Sequence, residues 1–372
     1  MDNIPTKRVS MIELFYDLVF AYMLSQATDL IHHLEHGVIN PISFLIFSVI
    51  VVVFINSWMF QSVFTNRYWK SSWQDIIFYF IDMGILLYMA NAFTETSSSN
   101  LQSFFFAAGL LSLTLMIEYL ITYFKSNNHY DKPITKIFSL ILLLRTVTLF
   151  VGGFFDNHVG RWIAFLGIII SWLLPATTGK FTQHHPIIFS HLLERLTLLI
   201  IITFGETIIG IADYFTPQHF NLVSIFIFVI VVSLYFSYIV EFDHLINEKQ
   251  RHETGNLLIY LHYLNLFGLS LITVSLKFIN EESANHNFAV SCLYLGILLF
   301  YLGIISASHY NKQKIHFSKR LNLLVLAISI IIAYFICIQA SSVMIITLTT
   351  AIFSLLNTGM MVRLYYKLIR TK

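Results

Sequence analysis

Apolar segments of about 20 residues follow one another along nearly the whole chain. Roughly 20 apolar residues are what a helix needs to cross a bilayer, and a helix also satisfies its own backbone hydrogen bonds in lipid. Hydrophobic residues make up 57% of the 372 residues and charged residues only 11%, which excludes an ordinary soluble domain. The sequence therefore predicts an all-α polytopic membrane protein with about twelve transmembrane helices. The predicted spans are residues 11–33, 41–64, 74–94, 101–124, 134–154, 161–179, 189–212, 221–242, 256–279, 287–308, 320–339 and 342–366.

The basic residues predict the orientation of these spans. If the N-terminus is cytoplasmic, all 22 Lys and Arg residues fall on the cytoplasmic side except Arg145, Arg161, Arg195 and Lys277. An excess of Lys and Arg is typical of cytoplasmic loops, so both termini are predicted to be cytoplasmic. The net charge of only +2 gives no reason to expect a nucleic-acid partner.

The two halves of the chain resemble each other. Glu13 lies near the start of the first span, as Glu194 does in the seventh. A second pair of polar residues, Asp82 and His262, follows them 69 and 68 residues later. Parallel repeats of this kind are a known transporter arrangement, with the site between the halves, although chance similarity between apolar helices is the alternative. The predicted six-helix membrane repeats comprise residues 1–180 and 181–372.

Charged residues inside the apolar segments are the candidate functional groups, because an ionised side chain at the bilayer centre costs at least about 2.5–3.5 kcal/mol. Arginine stays charged in proteins, so Arg145 needs a carboxylate partner. Glu118, one helix earlier, is the first candidate, and Asp17 and Asp82 are the others. Because three acids face one arginine, the surplus acids are predicted to bind a proton or a cation. The alternative is a permanent ion pair that only fixes helix register.

Two more candidates lie in the second half. Glu206 lies between Gly205 and Gly210, and small residues permit close helix approach or a cavity. His262 titrates in a useful range, although a buried histidine bonded to a tyrosine is the more ordinary reading. The predicted ion, proton or substrate path thus comprises Asp17, Asp82, Glu118, Arg145, Glu206 and His262, with Glu13, Gln26, Glu194 and Asn265 as secondary candidates.

Three segments together resemble the bacterial low temperature requirement A (LtrA) family. Residues 13–20 read ELFYDLVF, residues 56–68 run from NSW to TNRY, and residues 191–208 run from HLLER to ITFGETI. Residues 260–262 (YLH) add a weaker match. The resemblance implies a multi-span plasma-membrane protein associated by name with growth in the cold, and it implies no settled biochemical activity.

This sequence departs from the family pattern in two places. Residues 69–73 read WKSSW where acids usually follow Asn-Arg, and Ser237 stands where the eighth span often carries an acid. A fainter architectural likeness is to endolysosomal potassium channels built from two six-span repeats. The arginine that their first-helix motif needs is Met11 here.

Enzyme motifs are missing from the sequence, which has no phosphate-binding glycine loop, no nucleophile elbow and no HExxH. An enzyme is therefore the less favoured class, and no catalytic residue, cofactor or metal is expected. The preferred hypothesis is proton- or cation-coupled transport of a small solute across the bacterial plasma membrane. The alternatives are an ion channel and a membrane enzyme or sensor with a cytoplasmic-side polar site. The expected partners are the lipid bilayer and an unidentified solute or ion, while self-association into a homo-oligomer stays open.

Overall fold

The computed structural model describes residues 7–69, 72–92, 98–155, 157–250, 253–312 and 319–370, and helices dominate all of them. Lys70 and Ser71, within the segment that departs from the family pattern, lie outside the described residues. The helices are α1 (Met11–Asp29), α2 (Pro41–Tyr68), α3 (Trp73–Asn91), α4 (Ser98–Lys125), α5 (Asp131–Phe154), α6 (His158–Thr177), α7 (Gly179–Thr182), α8 (Phe189–Gly210), α9 (Leu222–Ile239), α10 (Asn256–Phe278), α11 (His286–Ala307), α12 (Lys319–Gln339) and α13 (Val343–Arg370). A two-stranded hairpin pairs β1 (Leu34–Glu35) with β2 (Val38–Ile39).

Every predicted span coincides with a helix, as the need to satisfy backbone groups in lipid requires. Within the described residues, nine helices are long and apolar enough to cross a membrane, namely α2 to α6, α9 to α11 and α13. The protein is therefore an all-α polytopic membrane protein. The three other predicted spans, which are α1, α8 and α12, remain predictions, and so does the total of twelve.

Side-chain caps fix where several helices begin. Ser10 starts α1 with a capping box, in which the Glu13 carboxylate accepts from the Ser10 backbone N–H at 2.8 Å while the Ser10 hydroxyl accepts from the Glu13 N–H at 3.4 Å. Ser72 and Asp75 form the same box at the start of α3. These caps satisfy backbone N–H groups that have no partner within the helix.

One compact unit comprises residues Met1–Leu30, Pro41–Leu199 and Lys249–Ile259. Its most enclosed element is α2, which is buried on all sides from Val53 to Asn66. Aromatic side chains pack around this helix. Tyr119 of α4 stacks on Phe138 of α5 at 5.4 Å between ring centroids and donates to the Phe60 carbonyl at 3.0 Å. A helix enclosed in this way can carry polar residues that lipid would not tolerate.

The second compact unit comprises residues Ile31–Asn40, Ile200–Glu248 and Tyr260–Lys372. Its hairpin turns through His36 and Gly37, both with positive φ (53° and 82°), as a two-residue type I′ turn requires. Helices α10 and α11 cross closely, because a Cβ on Gly268 would lie only 2.7 Å from the Gly296 carbonyl oxygen.

The boundary between the compact units falls inside α8, between Leu199 and Ile200. The predicted repeats instead divide the chain at residue 180. A compact unit is defined by packing and a repeat by sequence correspondence, so the two divisions describe different properties. The repeat therefore stays a prediction.

Candidate functional site: a buried charge cluster and a carboxyl pair

Asp17 of α1 pairs with Arg195 of α8, and both side chains are fully buried. Arg195 donates from Nη2 to Asp17 Oδ1 and from Nε to Asp17 Oδ2 at 3.3 Å, so the guanidinium forms a bidentate pair with the carboxylate. The Trp58 indole N–H of α2 donates to Asp17 Oδ1 at 2.7 Å. The guanidinium carbon also lies 5.1 Å from the Trp58 ring centroid, within cation–π distance. One carboxylate thus ties together three helices of the first unit.

Glu13 extends this ion pair into a cluster. Its Oε1 lies 3.1 Å from His191 Nε2 and 3.7 Å from Arg195 Nη1, while its Oε2 accepts from the Ser10 hydroxyl at 2.8 Å. The side chains of Glu13 and His191 are completely buried. We call the group formed by Glu13, Asp17, His191 and Arg195 the charge cluster.

Asn66 connects His191 to the segment that precedes α8. The Asn66 amide oxygen accepts from the Ile188 N–H at 2.8 Å, so its nitrogen is the atom that lies 3.1 Å from His191 Nδ1. An amide nitrogen can only donate, which makes Nδ1 the acceptor of this contact and leaves Nε2 facing Glu13.

Two basic side chains face the two carboxylates of the cluster. Two carboxylates face one guanidinium, and Lys7 supplies a second cation, which interacts electrostatically with Glu13 and donates to the Thr65 carbonyl. Lys7 precedes α1, and its partial burial lowers the pKa of its ammonium group. The cluster therefore has the properties of a structural tie between α1, α2 and α8 in the first unit.

The carboxyl pair is formed by Asp82 of α3 and Glu118 of α4, which are 0% and 3% exposed. The two carboxyls lie close enough to interact electrostatically, and within the described residues neither has an ion-pair partner. The Thr114 hydroxyl donates to Asp82 Oδ1, whereas Asp82 Oδ2 and both Glu118 oxygens are buried with no hydrogen-bond partner among those residues. Burying such polar atoms without hydrogen-bond partners costs free energy.

Two further side chains extend this group of unsatisfied polar atoms. Gln61 of α2 lies within hydrogen-bonding reach of Glu118, but neither atom of its buried amide makes a well-aligned hydrogen bond among the described residues. The Tyr16 hydroxyl of α1, which lies within electrostatic range of Asp82 and Glu118, is also buried without a hydrogen bond among those residues. Helices α3 and α4 thus carry the carboxyls, and α1 and α2 place a hydroxyl and an amide beside them.

Arg145 is fully buried but does not form the expected pair with Glu118. Its Nη2 donates to the Ser57 hydroxyl at 2.7 Å and to the Val53 carbonyl at 3.1 Å, both on α2. Arg145 thus donates to neutral acceptors on the enclosed helix, where the sequence predicted a carboxylate as its acceptor. The arginine that does bind Asp17 is Arg195, which the sequence reasoning left out of the predicted path.

The predicted residues of the second unit have more ordinary surroundings. Glu206 is half-buried, and His262 is fully buried with its Nε2 2.9 Å from the Tyr238 hydroxyl. Asn265 donates to the Phe300 carbonyl at 3.3 Å. The structure places Glu206 and His262 in one unit and the other four predicted path residues in the other. Of the remaining secondary candidates, Gln26 is half-buried and Glu194 is exposed.

Sequence reasoning also missed several buried polar groups. His191 and Arg195 of the charge cluster, and their neighbour Trp58, all lie in segments that carry the family resemblance, which was the available signal. Gln61 carried no such signal. Glu241, 2% exposed, lies on a π-helical turn (Val240–Leu245) that continues α9, and such turns are common at functional sites.

Apolar helices around a buried, paired charge cluster define a polytopic membrane protein with a polar interior. The sequence model described as "Bacterial low temperature requirement A protein (LtrA)" matches residues 8–356, and the chain belongs to this family. No curated protein and no solved structure matches the chain. The three segments that carry the resemblance meet in the charge cluster and its neighbours, through Asp17 from the first, Trp58 and Asn66 from the second, and His191 and Arg195 from the third.

Proposed function

We propose that this LtrA-family protein is a proton- or cation-coupled transporter of a small solute in the bacterial plasma membrane. Asp82 and Glu118 bind and release the coupling ion. The observation that carries the proposal is the carboxyl pair, since two buried acids lie near each other without a basic ion-pair partner in the described structure.

The energetic argument rests on charge. One ionised side chain at the bilayer centre costs at least about 2.5–3.5 kcal/mol, and a second like charge nearby adds repulsion. Asp82 and Glu118 therefore hold at most one negative charge between them unless a cation is bound. A proton or a monovalent cation that neutralises the pair changes which of the nearby Tyr16 and Gln61 groups can hydrogen-bond to it, and this links ion binding to helix packing.

The charge cluster has a different part in this proposal. Its carboxylates already have cationic partners within the protein, so its energy does not depend on a coupling ion in the same way. It holds α1, α2 and the first half of α8 together in the first unit. The carboxyl pair lies on α3 and α4 and is the group that exchanges protons or cations.

The first experiment measures ion binding without needing the solute. Infrared difference spectra of the purified protein in lipid are recorded between acidic and alkaline buffer, and again with and without Na⁺. We expect a protonated-carboxyl band that changes with pH or Na⁺ in the wild type and shrinks in Asp82→Asn and in Glu118→Gln. Asp243→Asn and Glu282→Gln change exposed acids and should leave this band intact. A wild-type protein whose carboxyl bands respond to neither pH nor Na⁺ would refute the proposal.

The second experiment measures flux in proteoliposomes. Internal pyranine reports proton entry driven by a potassium diffusion potential, and radioactive sodium reports cation entry, each while candidate solutes are added outside. Saturable, solute-dependent ion entry that is lost in both carboxyl variants supports a coupled carrier. A large conductance that does not saturate and needs no solute would instead establish the channel alternative.

A further inference from the structure

A cavity of about 720 Å³ lies in the first unit where α2 ends and α3 begins. It is bordered by the last turn of α4, by the segment leading into α5 and by His185. Ligand pockets for small molecules typically measure about 300–1,000 Å³. Neither member of the carboxyl pair lines the cavity, so its chemistry can be considered separately.

The carboxylates that line this cavity are already engaged. Asp75 accepts from the Ser72 N–H at 3.0 Å in the capping box of α3. Asp131 accepts from the Ser126 hydroxyl at 2.8 Å and lies 2.6 Å from His185 Nδ1 through its other oxygen. These contacts use the acids within the protein wall, so they do not favour a cationic ligand.

The two cationic side chains that line the cavity, Arg67 and Lys125, are less fully hydrogen-bonded than its acids. Arg67 donates through Nε to the His185 carbonyl at 2.9 Å, and its buried Nη1 has no hydrogen-bond partner among the described residues. Asp131 lies near enough to attract Arg67, yet neither of its oxygens pairs with the guanidinium. Among the described residues, Lys125 donates to the neutral Gln74 amide at 2.8 Å and forms no ion pair. Arg67 and Lys125 therefore carry cationic donors that the described carboxylates of the lining do not pair with.

The wall beside Arg67 is aromatic. Tyr68 and Phe64 pack with their rings 5.5 Å apart, and the Tyr68 hydroxyl is a further buried donor without a partner in the described structure. A guanidinium presents its donors in a planar fork that fits the oxygens of a carboxylate or phosphate, and the neighbouring rings suit an apolar or aromatic body.

We propose that this cavity binds an organic oxyanion, a carboxylate or phosphate group on a small apolar or aromatic body, with Arg67 as the main anchor and Lys125 as the second cation. The oxyanion comes either from a soluble molecule or from the headgroup of an anionic lipid. This inference does not depend on coupled transport, because it concerns equilibrium binding at residues outside the carboxyl pair.

The test uses phenyl phosphate and inorganic phosphate as probes, titrated calorimetrically into the protein in phosphatidylcholine nanodiscs at low ionic strength. We expect saturable binding of phenyl phosphate, with weaker binding of inorganic phosphate. Arg67→Gln should weaken binding about tenfold or more, since a hydrogen bond to a charged group is lost. Arg67→Lys keeps the charge but not the fork and should lie between Arg67→Gln and the wild type. Lys125→Gln should weaken binding by a smaller factor.

Lys132→Gln is the matched control, because Lys132 is exposed and does not line the cavity. Because Arg67 also holds the His185 carbonyl, each variant is first shown to keep the thermal stability of the wild type, and Lys125→Gln serves if Arg67→Gln does not fold. Nanodiscs containing phosphatidylglycerol separate the two sources. Competition by this lipid identifies a headgroup site, and undiminished binding identifies a soluble oxyanion. No saturable binding by the folded wild type, or equal binding by Lys125→Gln and Lys132→Gln, overturns the proposal.

Discussion

Substitutions of Asp17 can measure how much its ion pair with Arg195 contributes to the free energy of unfolding, apart from its hydrogen bond with Trp58. Asp17→Asn keeps an oxygen acceptor for the Trp58 indole, which donates to Asp17 at 2.7 Å, but it removes the charge that compensates Arg195. Removing one partner of a buried ion pair costs about 3–5 kcal/mol, because the other charge is left buried. Glu13 remains 3.7 Å from Arg195 and keeps part of the compensation. We therefore expect the free energy of unfolding to fall by about 3 kcal/mol.

Two further variants complete the cycle. Asp17→Leu also deprives the Trp58 N–H of its acceptor, which adds about 1–3 kcal/mol to the loss. The double variant Asp17→Leu with Arg195→Leu removes both charges, so it should be more stable than Asp17→Leu alone by about 2 kcal/mol or more. It should stay below the wild type, because Trp58 still lacks its acceptor.

The assay is reversible unfolding in mixed micelles, in which added dodecyl sulfate drives unfolding and far-ultraviolet circular dichroism follows helix loss. Asp82→Asn is the matched control, because it makes the same chemical change at a fully buried acid with no described ion-pair partner. It should shift the free energy of unfolding by less than about 1 kcal/mol in either direction. Equal losses for Asp17→Asn and Asp82→Asn, or a double variant no more stable than Asp17→Leu, would refute the assignment of a stabilising ion pair.

Three more predictions concern packing and topology. Asn66→Leu should lower the free energy of unfolding by about 1–3 kcal/mol, because the partly buried N–H and C=O of Ile188 lose the amide that bonds both of them, whereas Asn66→Gln should recover part of the loss. Gly303→Ala should cost about 1–3 kcal/mol, since its Cβ would collide with Asn265 Oδ1, while Gly359→Ala, with nothing within 4 Å, should be neutral or stabilising. Alkaline phosphatase fused to either terminus should be inactive and green fluorescent protein fused there should fluoresce, and the opposite pattern at one terminus would exclude an even number of spans.

The helices were predictable because lipid leaves the backbone few choices. An apolar segment of about 20 residues must satisfy its own hydrogen bonds, so hydrophobicity alone locates helices such as α2 and α9. The burial of Asp17, Asp82 and Glu118 was also predictable, because each acid lies inside an apolar segment. Local pattern is sufficient for both inferences.

The pairing of those acids was not predictable in the same way. Arg145 was chosen as the partner because α5 follows α4 in the chain, but α8, much later in the sequence, supplies the guanidinium that reaches Asp17. Which helix lies against which depends on packing over the whole unit, and sequence separation says little about it. The family resemblance was the one sequence signal that linked the two residues, since Asp17 and Arg195 lie in two of its three segments.

Depth explains why the two groups of acids differ. Glu13 is the third residue of α1, and its carboxylate accepts hydrogen bonds from the capping residue Ser10. The positive N-terminal end of the helix dipole also stabilises a negative charge at this position. Asp17 lies one turn deeper, about 9 Å into the helix at about 1.5 Å per residue, and has a guanidinium and an indole N–H. Asp82, the tenth residue of α3 and about 14 Å in, has one hydroxyl.

Asp82 thus has the least compensation from the protein although it lies deepest in its helix, where a charge costs most. Stability alone would favour an apolar residue or an ion pair at the deepest position. Folding stability gives no reason to place one buried carboxyl beside another. A role in exchanging a proton or cation would account for this costly arrangement. Substitutions of Asp17 and of Asp82 should therefore have different effects. Loss of Asp17 should mainly reduce folding stability, whereas loss of Asp82 should mainly abolish ion exchange in a protein that still folds.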